Sequence, residues 1–349
     1  DVLGSVRYWD VLIHNYLMNK GIVIPQKKTT NKSSKYAGAY VKEPQVGMHK
    51  WVLSFDLNSL YPHLIMQYNI SPETMKSEKT VPGMSVDKLL NKEVDTKALD
   101  NVTMTPNGAL FNTKKQGFLP EIMAKMYEDR VKYKQYMLEA KQNYVNTKDA
   151  KYIKQISKFN NIQMAKISLN SAYGAIGNNW FRYYSNTMAE AITTSGQLSI
   201  RWIEKKINDY MNDLLKTKDK DYVLASDTDS VYITFDKLIE MLNPKNPIDF
   251  LNKIAKEKIE PFIDKAYQEL ADYLNAYDQK MQMKREVIAD KGIWTAKKRY
   301  ILNAHDVEGV RYQEPKLKIM GIEAVKSSTP APCREKIKQA LRIIMDGNE

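Results

Sequence analysis

Between Val6 and Lys20 the apolar residues Trp9, Val11, Leu12, Ile13, Tyr16 and Leu17 recur at mixed three- and four-residue spacing. That period predicts an amphipathic helix, which Gly21 ends. Residues 27–38 are rich in Lys, Thr, Ser and Asn and read as an exposed loop. Residues 51–55 form a short apolar run suited to a buried strand. Pro62 then lies just inside a helix start, where its missing N–H costs little. Residues 68–117 are turn-rich and show no clear period. Pro120 opens a helical pattern reaching residue 146, and a second covers 149–174, so the two predict an antiparallel hairpin. A third helix covers 189–214. Two β-rich runs, 222–226 and 231–235, surround Asp227-Thr228-Asp229-Ser230, a hairpin signal with acidic turn residues. A helix over 247–274, strand-like pieces at 286–289, 293–302 and 317–320, and a helix over 333–345 complete the pattern. This mixed order predicts an α+β fold with a helical insertion.

At 349 residues, with 43% hydrophobic and 27% charged positions, the chain reads as one large domain or two to three smaller ones with a sizeable core. No stretch approaches the ~20 apolar residues of a membrane helix, and no signal peptide opens the chain. A soluble, cytoplasmic protein is expected. The single cysteine, Cys333, forms no intrachain disulfide and fits a reducing compartment. His14, His49, His63 and His305 lack zinc-ligand spacing. The net charge of +12 and the pI of about 9.3 point to a polyanionic partner. Residues 114–178 carry twelve Lys and Arg against five Asp and Glu, over half of the net charge. The chain opens on Asp1 rather than Met and closes abruptly on a helical pattern. Both ends read as cuts in a longer protein, or as one piece of a split one.

Asp56 directly follows the 51–55 run, while Asp227 and Asp229 sit at a hairpin tip. Carboxylates at strand ends and hairpin tips can project into one cleft, where two hard divalent cations about 4 Å apart need oxygen ligands. Asp is also at home in any turn, through bonds to nearby backbone N–H groups. Behind Asp56, the helix start at Ser59 and Leu60 offers backbone N–H groups to a phosphate, and Tyr61 would stand over the site. Lys166, Asn170 and Tyr173 fall on one helix face, with Gly174 next in sequence. Arg130 and Lys134 are four apart on the preceding helix. Singly, each basic residue reads as a solvated side chain.

Taken together, Asp56-Leu57-Asn58-Ser59-Leu60-Tyr61-Pro62, Lys166-x-x-x-Asn170-Ser171-x-Tyr173-Gly174, Asp227-Thr228-Asp229-Ser230 and Lys297-Lys298-Arg299-Tyr300 resemble the ordered motif set of family B DNA polymerases. The resemblance runs over residues 9–330. In 69–74, 177–184 and 314–321 the chain looks most like the replicative polymerases of T-even-type bacteriophages. It implies a palm of antiparallel sheet and helices in two parts, 1–113 and 179–325, with a two-helix fingers insertion at 114–178. Residues 326–349 would be the truncated start of a thumb. Asp56 and Asp229, with the Leu57 carbonyl, would bind two Mg²⁺ ions, for which Mn²⁺ substitutes. Ser59, Leu60, Arg130, Lys134, Lys166 and Asn170 would hold the incoming triphosphate, and Tyr61 would exclude a ribose 2′-OH. Tyr173, Gly174, Lys298 and Tyr300 would meet DNA, with Asp227, Thr228 and Glu286 in support. The implied partners are primer-template DNA and deoxynucleoside triphosphates, with a separate thumb-bearing chain and a sliding clamp as further candidates and no membrane.

The chain departs from the family pattern in places: Ala225-Ser226 stands for Tyr-Gly, His63 for a small hydroxyl residue, and Lys284 for an acid common in the phage relatives. The family's exonuclease lies upstream of the region covered. Asp306-Val307-Glu308 imitates the exonuclease's Asp-x-Glu signature but lies downstream of the motifs, so it reads as a coincidence. Two other readings stay open: a non-catalytic nucleic-acid-binding subunit, and a ribonucleotide-using enzyme such as a primase, against which Tyr61 stands sterically.

Overall fold

A computed structural model describes residues 4–27, 35–165 and 169–347. The chain divides into two compact units. One is Asp1–Gly38, Ser59–Ser195 and Ala271–Lys280; the other is Ala39–Asn58, Gly196–Leu270 and Met281–Glu349. The described strands are β1 (Gly47–Leu57), β2 (Val102–Met104), β3 (Leu110–Asn112), β4 (Val223–Asp227), β5 (Ser230–Thr234), β6 (Met283–Ala296), β7 (Arg299–Val307) and β8 (Val310–Met320). The expected α+β class, with an antiparallel sheet and helices, is what the chain adopts. No helix among the described residues is long and apolar enough to cross a membrane.

In the first unit, α1 (Ser5–Asn19) buries Trp9, Ile13 and Leu17, a stripe at four-residue spacing along one face. The Trp9 indole N–H donates to the Ser171 hydroxyl at 3.0 Å, on α6 (Ser171–Ile176). Between these lie α2 (Leu60–Gln67), α3 (Val86–Leu90), α4 (Phe118–Thr147) and α5 (Ala150–Ala165). The left-handed Asn69 ties the end of α2 to the start of α4. Its amide donates to the carbonyls of Asn112 and Lys115 and accepts from the Gly117 N–H. Gly117 has no Cβ to press into Ser71 and so allows that approach. The basic α4 and α5 fold back on each other across Lys148 and Asp149, with Phe159 against Tyr133 and Tyr136.

The helix expected over 149–174 is described only to Ala165. The described residues continue from Leu169 into the short α6, whose N-cap position is Asn170, and Lys166 lies outside the described residues. The turn-rich 68–117 holds α3 and the small β2–β3 hairpin, which are too short to show a period. Most of the expected 27–38 loop also lies outside the described residues.

The second unit is built on a six-stranded antiparallel sheet of order β4-β5-β1-β6-β7-β8. β1, flanked on both sides, buries Val52, Leu53, Ser54, Phe55 and Leu57, which is why it reads as a continuous apolar run. Val52, Leu224, Tyr232, Val287, Trp294, Tyr300 and Leu302 share one core. α7 (Asn186–Leu215) enters this unit, where Trp202 donates to the Ala266 carbonyl and Lys206 pairs with Glu269. Those partners lie on the helix expected over 247–274. It is α9 (Pro247–Ile254) and α10 (Glu260–Tyr273) joined through one wider π turn, Ala255–Ile259. α8 (Asp236–Leu242) precedes it. α11 (Ala331–Asp346) packs Ile337, Leu341 and Met345 against Ile301, Leu317 and Ile319. One expectation is corrected: 293–302 is not a single strand. The chain turns at Lys297-Lys298, with Lys298 left-handed at φ +59°.

Candidate functional site

The second unit gathers four acids from β1, β6 and the β4–β5 hairpin. Asp56 on β1 pairs in register with Ser230 on β5 and with Lys284 on β6. The Leu57 N–H donates to the Asp229 carbonyl at 2.8 Å, which pins the β4–β5 turn to the end of β1. In that turn Thr228 has φ +58°. A positive φ at the first loop position of a two-residue hairpin normally calls for Gly. A β-branched residue held there stores about 1–3 kcal/mol and persists only where its surroundings over-determine it. Here they do: the Thr228 N–H donates to the Tyr40 carbonyl at 2.9 Å, and its hydroxyl donates to Asp227 at 2.9 Å. Glu286 stands on β6, accepting from the Ser54 hydroxyl at 3.3 Å.

Charge pairing sorts the four. Lys298 Nζ lies 2.9 Å from Asp227, and Lys318 Nζ 2.6 Å from Glu286. Asp56 and Asp229 form no ion pair among the described residues. Burial, then the charges of Asp229 and Glu286, push the Asp56 carboxyl up to about 7, against a smaller pull from Lys318. Burial, then Asp227 and Glu286, raise Asp229 to about 6, although its own backbone N–H and Lys298 draw it down. Two partly buried carboxylates that resist ionisation together are a donor set suited to a hard divalent cation. No three His, Cys, Asp or Glu side chains among the described residues gather into a ready-made metal cage. Mg²⁺ does not require one, since it is held by one or two carboxylates plus substrate phosphates.

The Lys297-Lys298-Arg299-Tyr300 motif forms the β6–β7 turn. Lys297 pairs with Glu43 and Arg299 with Glu323. Gly321 is required here, because a Cβ would collide with the Lys298 carbonyl. Tyr300 is buried, stacks on Trp294 and has its hydroxyl 2.7 Å from that of Tyr232. Tyr300 thus braces the turn from inside, while Lys297 and Lys298 are exposed.

In the first unit, Ser59 is left-handed (φ 49°, ψ 55°) and caps α2 without a side-chain capping bond. Its hydroxyl instead accepts from Arg130 on α4 at 3.1 Å. Thus a guanidinium sits at a helix N-terminus whose first N–H groups, from Leu60 onward, lack a side-chain acceptor from Ser59, an arrangement suited to phosphate. Lys134 lies one turn further along α4. The Tyr61 ring packs on Tyr173 with centroids 4.6 Å apart, and the Tyr173 hydroxyl donates to Tyr36 at 3.3 Å. Asn170 is exposed, and Gly174 has open space where a Cβ would stand.

The departures from the family pattern find local partners. His63 Nδ1 is 3.0 Å from the Ser59 carbonyl and its ring stands edge-on to Tyr127. Ser226 donates to Glu204, and Lys284 pairs with Glu260. Asp306 is buried in an ion pair with Arg285, further held by Arg311 and the Gly309 N–H. Sequence reasoning missed Lys318, Tyr36 and Gly321. Lys316 and Lys318 at alternate positions in a strand-like stretch were the one available signal for the first.

A family model, DNA polymerase family B, matches residues 4–349. The chain is 37% identical over 404 residues to a DNA-directed DNA polymerase of Escherichia phage RB69, covering 100% of this chain and 44% of that protein. It is 36% identical over 408 residues to that of Enterobacteria phage T4, covering 100% and 45%. DNA polymerase 1 of Pyrococcus abyssi is 27% identical over 348 residues, covering 98% and 37%. The chain thus spans less than half the length of these curated relatives.

Proposed function

Because the chain belongs to DNA polymerase family B, we propose that it carries the nucleotidyl-transfer site of a DNA-templated DNA polymerase. The observation that carries this reading is the charge sorting of the acids: among the described residues Asp227 and Glu286 have Lys ion-pair partners, while Asp56 and Asp229 do not. Asp56, Asp229 and the Leu57 carbonyl are the groups that would hold two Mg²⁺ ions. When bound, these ions would lower the pKa of the primer 3′-OH and neutralise charge on the phosphates, and Mn²⁺ would substitute.

In the reaction the 3′-OH loses its proton and its oxygen bonds to the α-phosphorus of a deoxynucleoside triphosphate. The bond from that phosphorus to the bridging oxygen breaks, and pyrophosphate leaves. The chain's own part is positioning and charge neutralisation. Arg130, supported by Ser59 and joined by Lys134, Lys166, Asn170 and the Leu60 N–H, would fix the triphosphate. Tyr61, seated on Tyr173, would close the space a ribose 2′-OH needs. Lys298 would reach the primer end in the minor groove, where donors check base-pair shape with little sequence preference. We assign residues 1–113 and 179–325 to the palm, 114–178 to the fingers and 326–349 to the first thumb helix. Primer-template DNA and deoxynucleoside triphosphates are the proposed substrates.

Primer extension with Asp56→Ala and Asp229→Ala tests the reading. Each is expected to lower incorporation by about 1,000-fold or more, several kcal/mol of transition-state stabilisation, with DNA binding retained. Wild-type turnover in either variant at matched protein and Mg²⁺ would overturn the metal assignment. If the parent chain binds DNA yet incorporates nothing, even with a thumb-bearing polypeptide added, a non-catalytic binding role takes its place.

A further inference from the structure

β4 is the outer strand of the sheet, and an edge strand leaves backbone groups unpaired on its outer side. Residues 40–45 cover that side as a strap. The Thr228 N–H donates to the Tyr40 carbonyl at 2.9 Å, and Val41 bridges antiparallel to Asp227. Further along, the Lys42 N–H donates to the Ser226 carbonyl at 3.0 Å and the Gln45 N–H to the Leu224 carbonyl at 2.9 Å. The first of these bonds holds Thr228 in its strained conformation, one residue before Asp229.

One side chain anchors the strap. Lys42 is 12% exposed, and its ammonium lies 2.6 Å from Glu204 and 2.7 Å from Asp221. Both acids also bind β4: Glu204 accepts from the Ser226 hydroxyl at 3.1 Å, and Asp221 from the Val223 N–H at 3.1 Å. Glu204 stands on α7, so the ammonium joins strap, helix and edge strand. The Tyr40 ring lies under the Arg201 guanidinium, 5.5 Å away, which seats the carbonyl-bearing end. A surface ion pair would have little consequence, but a mostly buried ammonium shared by two acids fixes geometry.

We infer that Lys42 is a positioning residue for Asp229, acting through the strap and the Tyr40–Thr228 hydrogen bond. The inference rests on the reading of Asp229 as a metal-binding carboxylate. Lys42 would act through the strap, without contact of its own with substrate or metal.

The test uses the full chain with Lys42→Met, Lys42→Arg and, as a reference, Asp229→Ala. It reads Mn²⁺ affinity by electron paramagnetic resonance and amide hydrogen exchange over residues 226–230. Lys42→Met is expected to weaken Mn²⁺ about tenfold, as loss of a group that orients a ligand does. Exchange at 226–230 should quicken about tenfold. Incorporation should lose about 10- to 100-fold in kcat with KM for the nucleotide little changed. Lys42→Arg, which keeps the charge, should recover most of each loss. If Lys42→Met does not fold, Glu204→Gln weakens the same anchor at constant size and should move both readouts in the same direction. Unchanged exchange and Mn²⁺ affinity in the folded variant overturn the role of Lys42. Unchanged Mn²⁺ affinity in Asp229→Ala instead overturns the metal reading on which it rests.

Discussion

Asp56 sits in a place that works against its own charge. Its carboxyl is raised to about 7 by burial and by Asp229 and Glu286, whereas in an unfolded chain it would titrate near the ordinary value of about 3.9. Between those two values the folded state binds more protons than the unfolded state, so stability falls as pH rises from about 4 to 7. Asp56→Asn removes that penalty. In metal-free buffer its Tm should exceed the parent's at pH 7, with the difference vanishing near pH 4. Added Mg²⁺ should reverse the order, because only the parent gains binding energy. A variant less stable than the parent at pH 7 without metal would contradict this account. Asp56 was legible from sequence because an apolar run ends on an acid that opens a motif. Lys318 was not, because its partner Glu286 is 32 residues away with β7 between them, and no local pattern announces a pairing of that kind. The burial of Tyr300 was hidden for a related reason: a motif gives order along the chain, whereas the direction a side chain takes depends on what packs beneath it.

Among the elements, the long helices and the acidic hairpin were legible because their periods extend over many residues or end in recognisable turn residues. The β6–β7 turn was hidden, since two lysines occupy it. Its left-handed residue is accommodated by Gly321, which lies 23 positions downstream, so the requirement could not be read locally. The same two strands carry the buried Arg285–Asp306 pair. Burial alone would raise the Asp306 carboxyl, but the hydrogen bond and charge of Arg285, with the Gly309 N–H and Arg311, hold it below the usual range. A depressed carboxylate stabilises the fold above its unfolded pKa, and that contribution is lost as pH falls through the folded value. Asp306→Asn should therefore destabilise by about 3–5 kcal/mol at pH 7, leaving Arg285 buried without its charge partner. The gap between variant and parent should narrow as pH drops below about 4. Urea titrations at a series of pH values measure it, and a gap that stays constant with pH would remove the ion pair from the explanation.

The chain's two compact units are interleaved: each draws on three separate stretches of sequence. Nothing in the motifs reveals this, because motifs mark chemistry while the division follows which surfaces bury one another. It has a consequence for how the molecule can be cut. The stretch 59–195 contains the basic hairpin and the proposed nucleotide-binding residues, and by sequence alone it looks like a separable module. Excised, it loses Trp9, Ile13 and Leu17, all nearly or fully buried. At about 1.5–3 kcal/mol for each buried side chain, that is roughly 5–9 kcal/mol, comparable to the whole stability of about 5–15 kcal/mol that a domain has to lose. It also loses residues 271–280, including the Leu274 carbonyl that accepts from Thr103 and the Asn275 amide that donates to the carbonyls of Leu99 and Val102. A polypeptide of residues 59–195 is therefore expected to show helical circular dichroism without a cooperative thermal transition, and rapid proteolysis under conditions where the full chain resists. A sharp melt and protease resistance in the excised piece would mean that its core closes without α1, and that the interleaving is a matter of covalent path rather than of stability.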